Sequence, residues 1–198
     1  MKPPKKRKYE LKERAWQLEQ TRQRITDAAI ELHRTIGPAA TQTSEVARRA
    51  GVQRRTVYNH FPDQASLLRA CSAHWRSLHP APDSASWLVV EDPGERLRRA
   101  LCELYEWYRE TEPMTAKVLR DAEVIPELRT IIDSGLGAYL QGVRRTLGRS
   151  FRGRGRRSKR IEVAIGAVVD FHFWLALSDL GDKEAAELGA GLVELANK

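Results

Sequence analysis

An all-α fold is predicted for this 198-residue chain by three features of its sequence. Apolar residues recur at intervals of three and four along most of it, no stretch sustains the alternation of a strand, and Pro or Gly punctuates the periodic segments. No internal repeat is evident. A hydrophobic content of 41% is enough to bury a core divided between a small N-terminal head and a larger C-terminal body. The expected organisation is an arm over 1–20, a helix-turn-helix head over 21–62 and a helical body over 63–198.

The arm, MKPPKKRKYELKERAWQLEQ, packs Lys2, Lys5, Lys6, Arg7 and Lys8 beside two prolines and cannot form a core of its own. It is expected to be mobile, although Trp16 and Leu18 could extend the following helix backward. No apolar region follows the charges as in a secretory signal, and no run is long enough to span a bilayer.

The first helix of the head is expected over Thr21 to Ile36, where Ile25, Ala28, Ala29, Leu32 and Ile36 form one stripe and Gly37-Pro38 ends it. The segment TQTSEVARRAGVQRRTVYNHF then reads as two short helices around a turn. Val46 and Ala47 point inward from the first, Gly51 can take the positive φ of the turn, and Val52 plugs the space between. Val57 and Phe61 form the inner face of the second. Arg54, Arg55, Thr56, Tyr58, Asn59 and His60 are left on or near its outer face. Such a face suits a major groove: Arg can take both acceptors of a guanine edge, Asn can pair with an adenine edge, and Thr, Tyr and His can bond phosphate oxygens.

Charge separates this reading from an ordinary helical hairpin. Residues 1–62 hold 14 Lys+Arg against 6 Asp+Glu, whereas 63–198 hold 20 of each, so the whole net charge of +8 sits on the segment that contains the hairpin. A protein that replaces the counterions around phosphates has reason to segregate charge in this way.

From Ile25 to Leu68, through Gly37, Thr41, Val46-Ala47, Ala50-Gly51-Val52, Thr56-Val57-Tyr58 and Phe61, the chain closely resembles the TetR family of transcriptional regulators. The AGV…TVYNHF portion is its most specific part. The resemblance implies a homodimer of all-helical subunits, each with a three-helix DNA-binding head joined by a fourth helix to a body that often binds a small effector. It implies that Thr56, Tyr58 and His60, with Thr43, hold the sugar-phosphate backbone of an operator duplex, and that Arg54, Arg55 and Asn59 read bases. Gln53 stands where the family usually has a Ser cap, and its longer side chain caps poorly. Arg55 stands where a small residue is common. Gln64 replaces a Lys that commonly grips phosphate, a loss that Lys5, Lys6, Arg7 and Lys8 could offset along the backbone or in a minor groove.

In the body, Pro62-Asp63 starts a linking helix with Leu67, Leu68, Cys71, Trp75 and Leu78, and the prolines at 80 and 82 break the chain. Asp92-Pro93-Gly94-Glu95 is a strong start for a helix expected to end near Thr111. Pro113 and Pro126 are expected to open two more, the second reaching about Gly148. RRTLGRSFRGRGRRSKR, residues 144–160, carries nine basic residues and no acidic one and is expected to be a flexible, solvated connector. Ile161 to Leu180 reads as one strongly apolar helix enclosing Asp170 and His172, which would be costly to bury unpaired. Asp182 is expected to cap a last helix carrying Ala186, Leu188, Leu192 and Leu195. So much apolar surface needs more cover than one subunit offers, and the resemblance implies a dimer interface of these two helices from each subunit.

Trp75, Tyr105, Trp107, Tyr108, Met114, Tyr139, Phe171 and Trp174 are candidate lining for a largely apolar effector, with plain packing as the alternative for each. No cofactor or metal is expected. Five histidines and two cysteines, Cys71 and Cys102, show no metal-ligand spacing, no phosphate-cradling glycine loop or nucleophile elbow occurs, and Glu103 and Glu106 beside Arg99 and Arg109 read as surface charges. An enzyme is therefore disfavoured, and a reducing cytoplasm is the expected location. The leading expectation is a repressor released from an inverted-repeat operator by a small molecule. Its rival is a ligand-independent architectural or constitutive DNA-binding protein.

Overall fold

The computed structural model describes residues 5–149, 151 and 155–198, except for the side chains of 5–8 and 10. All regular elements among them are helical. They form two compact units: one takes the chain up to Leu78 together with Ala116–Ile131, the other His79–Thr115 and Ile132–Lys198.

In the first unit, α1 (Lys5–Thr35) is a single helix of 31 residues. The extension permitted by Trp16 and Leu18 thus reaches back through the segment expected to be a mobile arm. Tyr9, Leu11, Trp16 and Leu18 all stand exposed on it. Burial begins at Ile25 and continues through Ala29 and Leu32; Ile36, expected in the stripe, lies past the helix end and is exposed. Gly37 stops the helix at φ +92°, its N–H reaching back to the Leu32 and His33 carbonyls. α2 (Thr43–Ala50) and α3 (Arg54–His60) follow, then α4 (Gln64–Leu78). At the start of α4 the Asp63 carboxylate accepts the Ser66 N–H at 2.6 Å. Val46, Ala47, Ala50, Val57, Phe61, Leu68 and Cys71 complete the core with the stripe of α1.

α5 (Pro93–Asp121) starts as expected, with the Asp92 carboxylate accepting the Glu95 N–H at 2.8 Å. It does not stop near Thr111, nor does Pro113 open a new helix: Pro113 lies inside α5. A proline there costs a helical hydrogen bond. The buried face of Tyr108, Thr111, Met114 and Thr115 nevertheless runs unbroken past it, and that packing outweighs the local loss. α6 (Pro126–Ile132), a π turn at Asp133–Gly137 and α7 (Ala138–Gly148) make the expected path from Pro126 to Gly148.

The basic run 144–160 is mostly helical rather than a loop. Its first residues close α7 and its last five open α8 (Arg156–Val168), while 150 and 152–154 lie outside the described residues. The apolar segment 161–180 is likewise not one helix. α8 ends at Val168, and α9 (Phe171–Ala176) starts anew with Asp170 as its cap, accepting the His172 N–H at 2.8 Å. The hydroxyls of Tyr105 and Tyr108 donate to the Val168 and Val169 carbonyls, each at 2.7 Å, and satisfy the groups that the break frees. Asp170 is thereby paired and His172 is exposed, so neither is a buried lone charge.

α10 (Asp182–Ala196) begins at Asp182, but Asp182 is not its cap: Gly181 holds that position. The Asp182 carboxylate faces Arg109 of α5 instead, accepting Nη2 at 2.8 Å. α10 packs through Ala185, Ala186, Gly189, Ala190 and Val193, whose small side chains allow close approach; a Cβ on Gly189 would meet the Tyr105 hydroxyl at 3.1 Å. Leu188, Leu192 and Leu195 are exposed on its other side.

Candidate nucleic-acid interface

The hairpin forms as its residues dictate. Gly51 sits in the left-handed region (φ 65°, ψ 37°), and the Val52 N–H returns to the Ala47 carbonyl at 3.0 Å, closing α2. Val57 and Phe61 then seat α3 on the core, both nearly inaccessible. With those two turned inward, Arg54, Arg55, Tyr58 and Asn59 are exposed and Thr56 and His60 half-buried. Arg55 and Asn59, four residues apart, share one outward face.

Arg54 is engaged differently from Arg55. Its Nη2 donates to the Tyr58 hydroxyl at 3.0 Å and its guanidinium lies 5.6 Å from the centre of that ring. The Arg54 bond, followed by one with Thr43, holds the Tyr58 phenol below its ordinary pKa. Thr43, at the first position of α2, lies beside the Tyr58 hydroxyl of α3. Thr43, Arg54 and Tyr58 line a cleft of about 540 Å³ whose other walls include Gln42, Ser44 and Gln64. Donors converging from two helices on a polar cleft are an arrangement that takes an anionic oxygen.

Neighbouring cations are committed locally. Arg48 and Arg49 both bond Glu45, at 2.6 and 3.1 Å, which lowers the Glu45 carboxyl to about 2. Lys2 and the side chains of Lys5, Lys6, Arg7 and Lys8 lie outside the described residues. Arg22 of α1, absent from the residues that the sequence points to, donates from Nη1 to the His60 carbonyl at 2.9 Å. One arginine among several on a charged helix carries no periodic signal that would have singled it out.

The candidate effector residues fall into separate groups. Trp107, Tyr108, Tyr139, Phe171 and Trp174 form one aromatic cluster in the second unit, with Trp107–Tyr108 centroids 5.4 Å apart, Trp107–Tyr139 6.0 Å, Tyr108–Phe171 5.3 Å and Phe171–Trp174 5.4 Å. Tyr105 and Met114 are buried in the same unit, and Trp75 belongs to the first. Burial pushes the hydroxyls of Tyr105, Tyr108 and Tyr139 well above their usual range. Tyr139 donates to the Pro82 carbonyl at 2.9 Å and Trp107 to that of His79 at 3.3 Å.

Residues 25–71 match the family model described as bacterial regulatory proteins, tetR family. Among curated proteins, the chain is 39% identical over 82 residues to the HTH-type transcriptional regulator SrpR of Pseudomonas putida, a stretch covering 38% of each chain. It is 31% identical over 122 residues to the HTH-type transcriptional repressor Rv3405c of Mycobacterium tuberculosis, covering 59% of this chain and 63% of that one. The matches thus span less than two thirds of these relatives. The fold is shared with a tetR-family transcriptional regulator from Streptomyces coelicolor (TM-score 0.57, 21% identity, 90% of this chain and 79% of that one). It is also shared with RolR in complex with resorcinol (TM-score 0.52, 20% identity, 91% and 89%).

Proposed function

The chain belongs to the TetR family of transcriptional regulators, and from that premise we propose that it is a homodimeric, sequence-specific DNA-binding repressor. The observation that carries the proposal is the outward face of α3. Arg55 and Asn59 stand exposed side by side on the segment that holds the whole net positive charge of the chain. Arg55 and Asn59 read base edges. Thr43, Arg54 and Tyr58 grip a phosphate together, with Thr56 and His60 on the adjoining backbone. This moves Arg54 from the base readers to the phosphate contacts, because its guanidinium is already turned onto Tyr58. The basic residues at 5–8 add affinity for any duplex.

Two copies associate through α8 and α10. Leu188, Leu192 and Leu195 on α10 and Val163 on α8 are large apolar side chains left uncovered in the single chain. A two-fold pair would set two α3 helices about one DNA turn apart, roughly 34 Å, on an inverted repeat. Release is by a small, largely apolar effector in the aromatic body, a reading supported by the resorcinol complex of RolR. Such a ligand acts only by its differential affinity for the DNA-competent and DNA-incompetent states.

A second reading, a ligand-independent regulator, is favoured by the aromatic cluster itself. Its central rings are almost wholly inaccessible, and the hydroxyls of Tyr108 and Tyr139 are spent on backbone carbonyls. Selecting binding sites from random duplexes and comparing the enriched site with scrambled DNA at two salt concentrations tests the proposal. An inverted repeat preferred at both salts is the expected result. Equal, steeply salt-dependent binding to all DNA would refute sequence-specific recognition.

A further inference from the structure

α3 is a helix of only seven residues, too short to hold its own conformation. Its start is weakly secured: Gln53 at the N-cap makes no side-chain bond, and the first turn has no acidic residue. Its inner face is fixed by Val57 and Phe61. Apolar contacts of this kind resist withdrawal of a helix from the core better than they resist rotation about its axis, since they are not directional.

The far end of α3 carries a directional contact. Arg22, on α1 and thirty-eight residues upstream, donates from Nη1 to the carbonyl of His60, the last residue of the helix. The same guanidinium lies 4.3 Å from the centre of the Phe61 ring, directly after it. A planar cation can do both at once, giving an in-plane hydrogen bond to a carbonyl at the negative end of the helix while its face covers an aromatic ring. The contact joins α1 to the backbone of α3, leaving the side chains of Arg55 and Asn59 clear.

We propose that Arg22 is a positioning residue for base recognition: by clamping the His60 carbonyl and the Phe61 ring it sets the angle at which α3 presents Arg55 and Asn59, and it does not act by neutralising a phosphate. This rests on the DNA-binding reading above and deepens it. The two roles have different signatures. Losing a phosphate contact weakens binding to every sequence and lowers the salt slope by about one counterion. Losing a positioning contact erodes the preference for the cognate site and leaves the slope and the affinity for scrambled DNA nearly unchanged.

The test uses the full chain and the site it enriches from random duplexes, with affinities for enriched and scrambled DNA at several salt concentrations. Arg22→Met keeps the aliphatic stem and removes the donor and the charge. It is expected to reduce the preference for the enriched site about tenfold or more, the equivalent of one hydrogen bond from a charged donor, at an unchanged salt slope. An equal loss on both DNAs with a shallower slope, or no change, overturns the proposal. Should Arg22→Met lose its helical circular dichroism, Arg22→Lys decides. It keeps the charge but not the planar stack, and is expected to lose preference, whereas wild-type behaviour overturns the positioning role. If the unmodified chain itself enriches no site, the DNA-reading premise has failed rather than the assignment of Arg22.

Discussion

The carboxylate of Asp121 accepts the backbone N–H of Ala39 at 2.8 Å, eighty-two residues away in sequence. Asp121 closes α5 and is 3% exposed; Ala39 lies in the turn between α1 and α2. Arg120 joins in, bonding Asp121 at 2.7 Å and reaching the Ile36 carbonyl at 3.3 Å. The turn that precedes the hairpin is therefore held by the last two residues of α5.

Gly37 is where this contact is least tolerant. Its φ is +92°, and a Cβ there would lie 2.5 Å from both Arg120 Nη2 and Asp121 Oδ2. Gly37→Ala is expected to cost about 2 kcal/mol or more, combining backbone strain with displacement of the ion pair. Gly51→Ala makes the control. That glycine also has positive φ, but open space surrounds its Cβ position, so only the backbone cost of roughly 1 to 2 kcal/mol applies. Urea unfolding of the two variants compares them directly. Equal losses would show that the Asp121 contact is not tight.

His33 gives the first unit a pH dependence. It is 4% exposed, and burial lowers its pKa to about 4 from an ordinary 6.5, with the nearby Asp121 carboxylate opposing in part. The folded form therefore binds fewer protons than the unfolded chain between these values. Above pH 6.5 both states hold a neutral ring and His33 adds no slope. As pH falls from 6.5 toward 4, stability drops by up to about 3 kcal/mol. His33→Gln should flatten that part of a stability profile measured by urea unfolding. A wild-type slope in the variant would assign the effect to other groups.

The head was legible because its signals are local: Gly51, the apolar pair Val57 and Phe61, and the segregated charge each act within a few residues. Several of the errors in the body lie where distant packing overrides a local rule. Pro113 reads as a helix boundary, but a buried face continues past it. The break falls at Val169 and Asp170, neither a Gly nor a Pro; it is made tolerable by hydroxyls of Tyr105 and Tyr108, more than sixty residues upstream. Asp182 has the residue type of a cap, yet an arginine from another helix claims its carboxylate. The Arg54 pairing with Tyr58 was available in principle, since i, i+4 neighbours on a helix meet, but helical spacing alone does not say whether a guanidinium folds back or extends.

That pairing divides the labour on α3. Asn59→Ala and Arg55→Ala should each relax discrimination at particular base positions, by about 1 to 3 kcal/mol. Arg54→Ala removes a charge and frees Tyr58 from its partner, so it should weaken enriched and scrambled duplexes together and reduce the salt slope by about one. Site selection repeated with each variant checks this. A changed consensus with Arg54→Ala alone would return Arg54 to the base readers.

The dimer face is testable through a single leucine. Leu192 lies on α10 beside Leu188 and Leu195, opposite the tightly packed Ala190 and Val193, and is 44% exposed in the isolated chain. A charge placed there costs the subunit little, because nearly half of the residue already faces solvent. In a two-fold interface the same charge meets its own copy or the partner's leucines in an apolar layer, where desolvation is expensive. Leu192→Glu is therefore expected to leave the helical content of the subunit intact and to shift sedimentation from dimer to monomer. Affinity for an inverted repeat should then fall toward that for a single half-site, since a monomer no longer gains from the second contact. A variant that stays dimeric would move the interface away from this face of α10.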